Sequence, residues 1–236
     1  MKILSIECSA IPCSVSIIED EKIVASSFTN VKLTHSQTLM PMVESALNSA
    51  QLSLSDIDGF AVSHGPGSFT GIRIGISAVK GMAQPFKKQC VGVSTLNAIA
   101  ENYRYTNTLV CAVMDARCNQ VYNAIFNCKN GEIERLCDDR AIMCEELAKE
   151  LKDNYSDYNI VIVGDGSELF YSFVKENKNI TISDEKNRYQ NAVGVALIAK
   201  EMFKSGKTVL PDSLLPVYLR LPQAERELKL NKEQNV

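Results

Sequence analysis

Histidine is scarce in this sequence, and its scarcity excludes one class of site. The 236 residues contain two histidines, His35 and His64, which lie far apart, and no tryptophan. Neither an H-x-x-x-H pair nor an H-E-x-x-H helix can be formed, so a histidine-based metal centre is excluded. We expect both histidines to make hydrogen bonds near a helix start or in a loop.

Three further catalytic motifs are missing. A Walker loop ends in Gly-Lys-Ser/Thr, whereas Gly71 is followed by Ile72 and Arg73. The glycines from Gly65 also lack the acidic residue that a dinucleotide-binding fingerprint requires about twenty residues on. No G-x-S-x-G elbow surrounds Ser68 or Ser167. The sequence therefore predicts no catalytic residue.

Paired cysteines and long apolar runs are also absent. The eight cysteines are scattered, and no C-x-x-C pair or preceding apolar signal region occurs. Buried free cysteines behave as small hydrophobic residues, so we expect neither disulfides nor zinc, and a reducing, cytoplasmic location. The longest apolar runs are far too short to span a membrane. With a net charge of −3 and no basic run longer than Lys87-Lys88, the chain is not expected to hold a nucleic acid by itself.

The sequence does contain two successive α/β patterns. Three β-rich runs (2–9, 13–20 and 22–30) precede a helical segment (36–50), a strand (57–65), a helix (68–84) and another strand (90–95). A looser version follows, with a hairpin (108–117 and 120–128), a helix (143–154), a strand (158–166) and a helix (191–206). We predict an α/β protein of two mixed-sheet halves, residues 1–105 and 106–222, followed by a charged, frayed tail, 223–236.

The stretch "VSHGPGSFTGIRIGIS" (62–77) has the glycine content of a phosphate-binding loop. Its glycines equally suit a tight turn around Pro66 and a helix that another backbone approaches closely, and the pattern favours this second interpretation. In the phosphate-binding interpretation, the loop would act together with acidic residues and glycines at the ends of other strands to hold a nucleotide. Its candidate nucleotide-binding residues are Glu7, Ser9, Gly65, Gly67, Asp115 and Gly164. For Asp165, within Gly-Asp-Gly, capping of a turn is the favoured role.

Both helices of the first half carry an apolar face, and an exposed apolar patch usually marks an association site. The predicted partner-binding residues are Leu39, Met42, Val43, Leu47, Gly71, Ile72, Gly75, Ile76 and Val79. The alternative is that all of them belong to the internal core, the commonest reason for such a pattern.

The segments "LTHSQTLMPMVESAL", "GPGSFTGIRIGISAVKGMA", "CVGVSTLNAIA", "VMDARCNQVYNAIF" and "PVYLR" occur in this order along nearly the whole chain. Together they closely resemble the bacterial TsaB family, also called YeaZ. The resemblance implies two actin-like, Hsp70-type ATPase halves (the ASKHA, ribonuclease H-like fold). It also implies an accessory role in making N6-threonylcarbamoyladenosine at position 37 of tRNA. The implied partners are the transferase TsaD and the ATPase TsaE, with tRNA contacted only through the complex and a homodimer when TsaD is absent.

The transferase TsaD carries two metal-binding histidines in the segment that resembles "VGVSTLNAIA", where this chain has Ser94, Thr95 and Ala98. The resemblance therefore implies a non-catalytic subunit without metal or cofactor. The chain also departs from the family's Ile-Asp-Thr-Ser opening, because Ile6 is followed by Glu7, Cys8 and Ser9. The alternative function is an active ATPase or small-molecule kinase of the same fold, with ATP held between its two halves.

Overall fold

The computed structural model describes residues 1–220. The predicted frayed tail, 223–236, and the last two residues of the predicted second half lie outside the described residues. Among the described helices, none combines the length and apolar character that crossing a membrane requires.

The first sheet has five strands in the order β3-β2-β1-β4-β5. Its strands are β1 (Lys2–Glu7), β2 (Cys13–Glu19), β3 (Lys22–Thr29), β4 (Gly59–Gly65) and β5 (Gln89–Ser94). The first three form an antiparallel meander, whereas β4 and β5 run parallel to β1. Helix α1 (His35–Ala50) leads to β4, helix α2 (Phe69–Ala83) joins β4 to β5, and the short α3 (Thr95–Ala100) follows β5.

The second sheet has six strands, with the order β11-β10-β6-β7-β8 and β9 paired to β7. These strands are β6 (Thr108–Asp115), β7 (Gln120–Lys129), β8 (Glu132–Arg135), β9 (Arg140–Met143), β10 (Ile160–Val163) and β11 (Ile180–Ile182). The helices are α4 (Cys144–Asn154), α5 (Ser167–Val174), α6 (Glu185–Arg188) and α7 (Ala192–Lys204). The predicted repeat is confirmed, because β6 pairs with β7 and β10 as β1 pairs with β2 and β4.

The last helix belongs by packing to the first sheet. Helix α7 brings Val195, Ala196 and Ala199 against one face of that sheet, where they form a buried cluster with residues that include Ile3, Ile18, Val91 and Val93. The Ser5 hydroxyl also donates to the Ala192 carbonyl at 2.7 Å. The chain thus returns to the first sheet, and the boundary predicted at residue 105 does not separate two self-contained packing units. We call the first sheet with α1, α2 and α7 lobe I, and the second sheet with α4, α5 and α6 lobe II.

Helices α1 and α2 cover the other face of the first sheet. Their apolar residues join the main core of lobe I, which includes Leu39, Val43, Leu47, Ile72, Ile76 and Val79. Ile72 and Val79 have no exposed surface, and only Met42 of the predicted set is partly exposed. The prediction that these residues form an exposed apolar patch is therefore wrong. These residues belong to the internal core, which was the alternative interpretation.

Candidate functional site

A cleft of about 750 Å³ lies between the two lobes. Lobe I contributes the turn after β1, the loop before α1 and the start of α2; lobe II contributes the turn after β6 and the Gly164–Gly166 turn. Three of the six candidate nucleotide-binding residues, Ser9, Gly67 and Asp115, line this cleft. The other three, Glu7, Gly65 and Gly164, are buried in the protein and do not line it.

The glycine loop is packed against its own chain. A Cβ atom at Gly67 would lie 2.4 Å from the Ser9 carbonyl oxygen, and one at Gly65 would lie 2.3 Å from the Val217 carbonyl oxygen. Both residues also have a positive φ, +154° and +126°, which side chains disfavour. The loop therefore requires glycine for its internal contacts, which supports the turn interpretation.

The same holds at the start of α2, where the Ser68 side chain accepts a hydrogen bond from the Gly71 backbone N–H. A Cβ at Gly71 would lie 2.1 Å from the Cys8 carbonyl oxygen, and one at Gly75 would lie 2.6 Å from Cys8 Sγ. Cys8, one residue of the departure from the family's opening, donates from its thiol to the Gly71 carbonyl. Gly71 and Gly75 thus allow the turn after β1 to pack against α2, and this packing leaves no room for a partner helix at these two positions.

Glu7 is fully buried at the end of β1. Its Oε1 accepts hydrogen bonds from the Ser9 backbone N–H at 2.6 Å and the Ser9 hydroxyl at 2.5 Å. Burial raises the pKa of the Glu7 carboxyl, and the neighbouring hydroxyls of Ser63 and Ser9 act in the opposite direction. The Ser9 hydroxyl is therefore already engaged by the protein, which weakens it as a phosphate or Mg²⁺ ligand.

Asp165 enters the cleft from the turn after β10. A Cβ at Gly164 would lie 2.0 Å from the Val113 carbonyl oxygen, so the glycine lets this turn approach β6. Asp165 Oδ1 is buried without a hydrogen-bond partner in the described chain. Burial, together with the negative charge of Asp115, raises the pKa of Asp165 to about 7, while a bond from its own backbone N–H acts to lower the pKa of the carboxyl. The lobe II side of the cleft thus presents two neighbouring acids.

The turn between β6 and β7 forms the mouth of the cleft on lobe II. Arg117, Cys118 and Asn119 all have left-handed φ values, 67°, 56° and 55°. The Arg117 backbone N–H donates to Asp115 Oδ1 at 2.7 Å, and its guanidinium lies 3.5 Å from Asp115 Oδ2. Asp115 is therefore occupied within its own turn.

The positions singled out for their missing histidines have structural roles. The Ser94 hydroxyl accepts from the Asn97 backbone N–H at the start of α3 and donates to Asp139 at 2.6 Å. Thr95 and Ala98 are buried. Within residues 1–220, no group of three His, Cys, Asp or Glu side chains is arranged to hold a metal ion. The predicted hydrogen-bonding role of His35 at a helix start is confirmed, because its Nε2 lies 2.7 Å from the Ala10 carbonyl oxygen.

Sequence reasoning missed the role of the segment "PVYLR". Residues Val217–Arg220 run along the edge of the cleft, where Tyr218 stacks on Phe69 with ring centroids 4.6 Å apart. In the sequence this segment contributes only to the family resemblance, because neither periodicity nor spacing predicts its contacts. The cleft can hold a small molecule, yet its polar groups on the lobe I side are engaged with one another.

Comparison with known proteins is consistent with this architecture. Residues 23–228 match the sequence model of the family described as TsaD, tRNA N6-adenosine threonylcarbamoyltransferase. The crystal structure of YeaZ from Pseudomonas aeruginosa superimposes with a TM-score of 0.76 at 27% identity, covering 92% of this chain and 99% of that one. An uncharacterized protein from the same organism, described as similar to peptidase YeaZ, gives a TM-score of 0.79 at 27% identity, covering 93% and 99%. The two-lobed mixed α/β architecture is that of the actin-like, Hsp70-type ATPases, the ASKHA-type fold.

Curated relatives narrow the assignment. The tRNA threonylcarbamoyladenosine biosynthesis protein TsaB of Escherichia coli (strain K12) is 34% identical over 230 residues, 97% of this chain and 98% of its own. The protein of the same name from Bacillus subtilis (strain 168) is 30% identical over 227 residues, covering 95% and 96%. The chain belongs to the TsaB (YeaZ) family, a family of tRNA threonylcarbamoyladenosine biosynthesis.

Proposed function

We propose that this protein is a non-catalytic subunit of the machinery that makes threonylcarbamoyladenosine in tRNA. In this proposal it binds the transferase TsaD and, with it, TsaE in the cytoplasm, forms a homodimer when alone and meets tRNA through the complex. The observation that carries the proposal is that polar groups lining the cleft are engaged within the chain: Ser9 with the buried Glu7, and Asp115 with Arg117. A transferase needs groups that can polarise its substrate, and the histidine pair of the transferase is replaced by Ser94 and buried neighbours.

The proposed partner surface is the outer face of α1 and α2, in place of the buried set given above. Exposed residues on this face include Met40 and Glu44 on α1 and Arg73, Ser77 and Gly81 on α2. Small side chains let a partner helix approach closely, as Ser77, the half-buried Ala78 and Gly81 would on α2. A Cβ at Gly81 would meet no atom within 4 Å, so this position tolerates any side chain within the isolated chain.

Reconstitution tests the proposed function. This protein, TsaD and TsaE would be purified separately and mixed with tRNA and threonylcarbamoyl-adenylate, and the modified nucleoside would be quantified. We expect no product from this protein alone and product when all three are present. Product formed by this chain alone would contradict the non-catalytic role.

A matched pair of variants tests the partner surface. Gly81→Arg should leave the circular dichroism spectrum unchanged and weaken TsaD capture by at least about tenfold, since a long charged side chain would obstruct an interface core. Asn130→Arg places the same side chain on an exposed turn of lobe II and serves as the control. Undiminished capture by folded Gly81→Arg would move the partner surface elsewhere.

The alternative function, an ATPase or small-molecule kinase, is favoured by one observation, the gathering of Ser9, Gly67, Asp115 and Asp165 around the cleft. Against it stands the engagement of Ser9 and Asp115 with their own chain. Titration calorimetry with Mg-ATP separates the two functions. Binding at micromolar concentration together with turnover would favour the ATPase.

A further inference from the structure

The segment Val217–Arg220 contacts both lobes. On lobe I, the Val217 backbone N–H donates to the His64 carbonyl at 2.8 Å, at the end of β4. On lobe II, the Arg220 guanidinium donates to the carbonyl of Ala116, in the turn after β6. Its side chains also line the cleft between these two attachment points.

The attachment to lobe I is extensive. Tyr218 stacks on Phe69, and the Arg73 guanidinium lies 3.7 Å from the Phe69 ring centroid. Arg73 Nε also donates to the Tyr218 hydroxyl at 2.9 Å. Stacked rings and a cation over an aromatic face both stabilise such a contact. The segment is therefore fastened to the start of α2, and Arg220 extends from a fixed base.

The attachment to lobe II is made at a constrained point. Ala116 is buried, and its backbone N–H donates to the Gln120 carbonyl at 3.0 Å, which closes the β6–β7 turn. A hydrogen bond from a charged donor to a carbonyl is stronger than one between neutral groups. The position of Ala116 is therefore fixed relative to the rest of lobe II.

The lobes are also joined away from the cleft. Asn191, which precedes α7, donates from its side chain to the Asn102 side chain at 2.9 Å, and Asn102 donates to the Asn187 and Tyr189 carbonyls. Ser94 at the end of β5 also donates to Asp139 of lobe II at 2.6 Å. Two bodies whose links lie on one side of a cleft can rotate about those links as a hinge, whereas a further link at the mouth of the cleft opposes that rotation.

We propose that Val217–Arg220, which we call the interlobe strap, holds the lobes together across the mouth of the cleft and limits its opening. The inference rests on contacts within this chain, and it is independent of the ligand or partner that the protein binds. When Arg220 releases Ala116, the lobes separate about the Ser94–Asp139 and Asn102–Asn191 links and the cleft widens.

Distance measurement between spin labels tests the strap. Gln37→Cys on α1 and Lys149→Cys on α4 place one label on each lobe, at exposed positions. Cys118, the fully exposed cysteine among those described, is replaced by serine. A sample without the two introduced cysteines measures background labelling.

Arg220→Met keeps the aliphatic length and removes the hydrogen bond to Ala116. We expect its mean interlobe distance to rise by more than about 2 Å and its distribution to broaden. Arg117→Met is the control, because Arg117 is exposed and pairs with Asp115 of its own lobe. An Arg220→Met protein with an unchanged circular dichroism spectrum and an unchanged distance distribution would overturn the proposal.

A second measurement starts from the unaltered protein, and its decisive outcome does not depend on whether any variant folds. The Val217 amide should be protected from hydrogen exchange, because it donates to the His64 carbonyl. Tyr218→Phe, which loses the bond from Arg73, should speed exchange at Val217 by at least about tenfold. Rapid exchange at Val217 in the unaltered protein would show that the strap is not fastened, and the proposal would fail.

Discussion

At the scale of single residues, Glu7 and Asp165 are two of the carboxyl groups to which water has little access. Glu7 is fully buried, and Asp165 has one carboxylate oxygen without a hydrogen-bond partner in the described chain. An ionised carboxylate in such surroundings destabilises the folded state unless it is paired or hydrogen-bonded. Glu7 Oε1 accepts two such bonds from Ser9, while Glu7 Oε2 also lacks a partner in the described chain. The pKa of Asp165 is raised to about 7, within the pH range that unfolding experiments cover, so Asp165 is the residue at which the effect of pH on stability can be measured.

Asp165→Asn should stabilise the protein increasingly as pH rises. The folded-state pKa is raised from 3.8 to about 7, so the neutral form is favoured on folding and wild-type stability falls as pH rises through this range. The full difference corresponds to roughly 4 kcal/mol, and residual contact with water at the cleft lowers it to an expected ~1–3 kcal/mol. Urea unfolding at pH 4, 5.5 and 8 would measure the difference between variant and wild type. The prediction fails if that difference does not grow between pH 4 and pH 8.

At the scale of elements, helix α2 carries glycines of opposite kinds. Gly71 and Gly75 face inward, where the turn after β1 leaves no room for a Cβ, and Gly81 faces open space. Periodicity placed α2 correctly to within about one residue, and it located the apolar face. It could not tell whether the chain itself or a partner covers that face, since both produce the same pattern.

Alanine substitutions in α2 should therefore change stability in opposite directions. Gly71→Ala brings a Cβ to 2.1 Å from the Cys8 carbonyl oxygen, and forced overpacking of this kind costs about 1–3 kcal/mol. Gly81→Ala adds no contact and removes the entropic disadvantage of glycine in a helix, for a gain of about 0.5–1 kcal/mol. Chemical denaturation of both variants tests the pair. Equal effects at the two positions would show that the environments assigned to them are wrong.

Short elements escaped the sequence pattern for a different reason. Strands β8 (Glu132–Arg135) and β9 (Arg140–Met143) have four residues each and alternate weakly, so they look like loops until they pair with β7. The longer strands and amphipathic helices contain enough residues for the spacing of their apolar residues to be recognised in the sequence. Several cleft residues could be anticipated, because the carboxyl ends of β1, β4, β6 and β10 carry loops that meet between the lobes. The strap could not, since its contacts depend on tertiary structure.

At the scale of the whole molecule, the chain crosses between its lobes more than once. Residues up to Ser94 build the first sheet, the chain then builds lobe II, and α7 returns to cover the first sheet. A boundary drawn from the repeat in the sequence misses this return, because the packing partners of α7 lie roughly 100 to 190 residues earlier in the chain. Folding of lobe I therefore requires both ends of the described chain.

The fragment 1–105 should consequently fail to fold, although it contains the complete first sheet. Without α7, the side chains of Ile3, Ile18, Val91 and Val93 would be uncovered. At about 1.5–3 kcal/mol for each large apolar side chain, this costs roughly 6–12 kcal/mol, comparable to the whole stability of a small domain. A chain that joins residues 1–105 to 191–220 through a flexible glycine–serine linker restores α7 and should unfold cooperatively, as followed by circular dichroism. Binding of a hydrophobic dye reports the uncovered face and should be strong for the fragment and weak for the joined chain. Cooperative unfolding of the fragment alone would show that α7 is dispensable and that the boundary at residue 105 does define an independent domain.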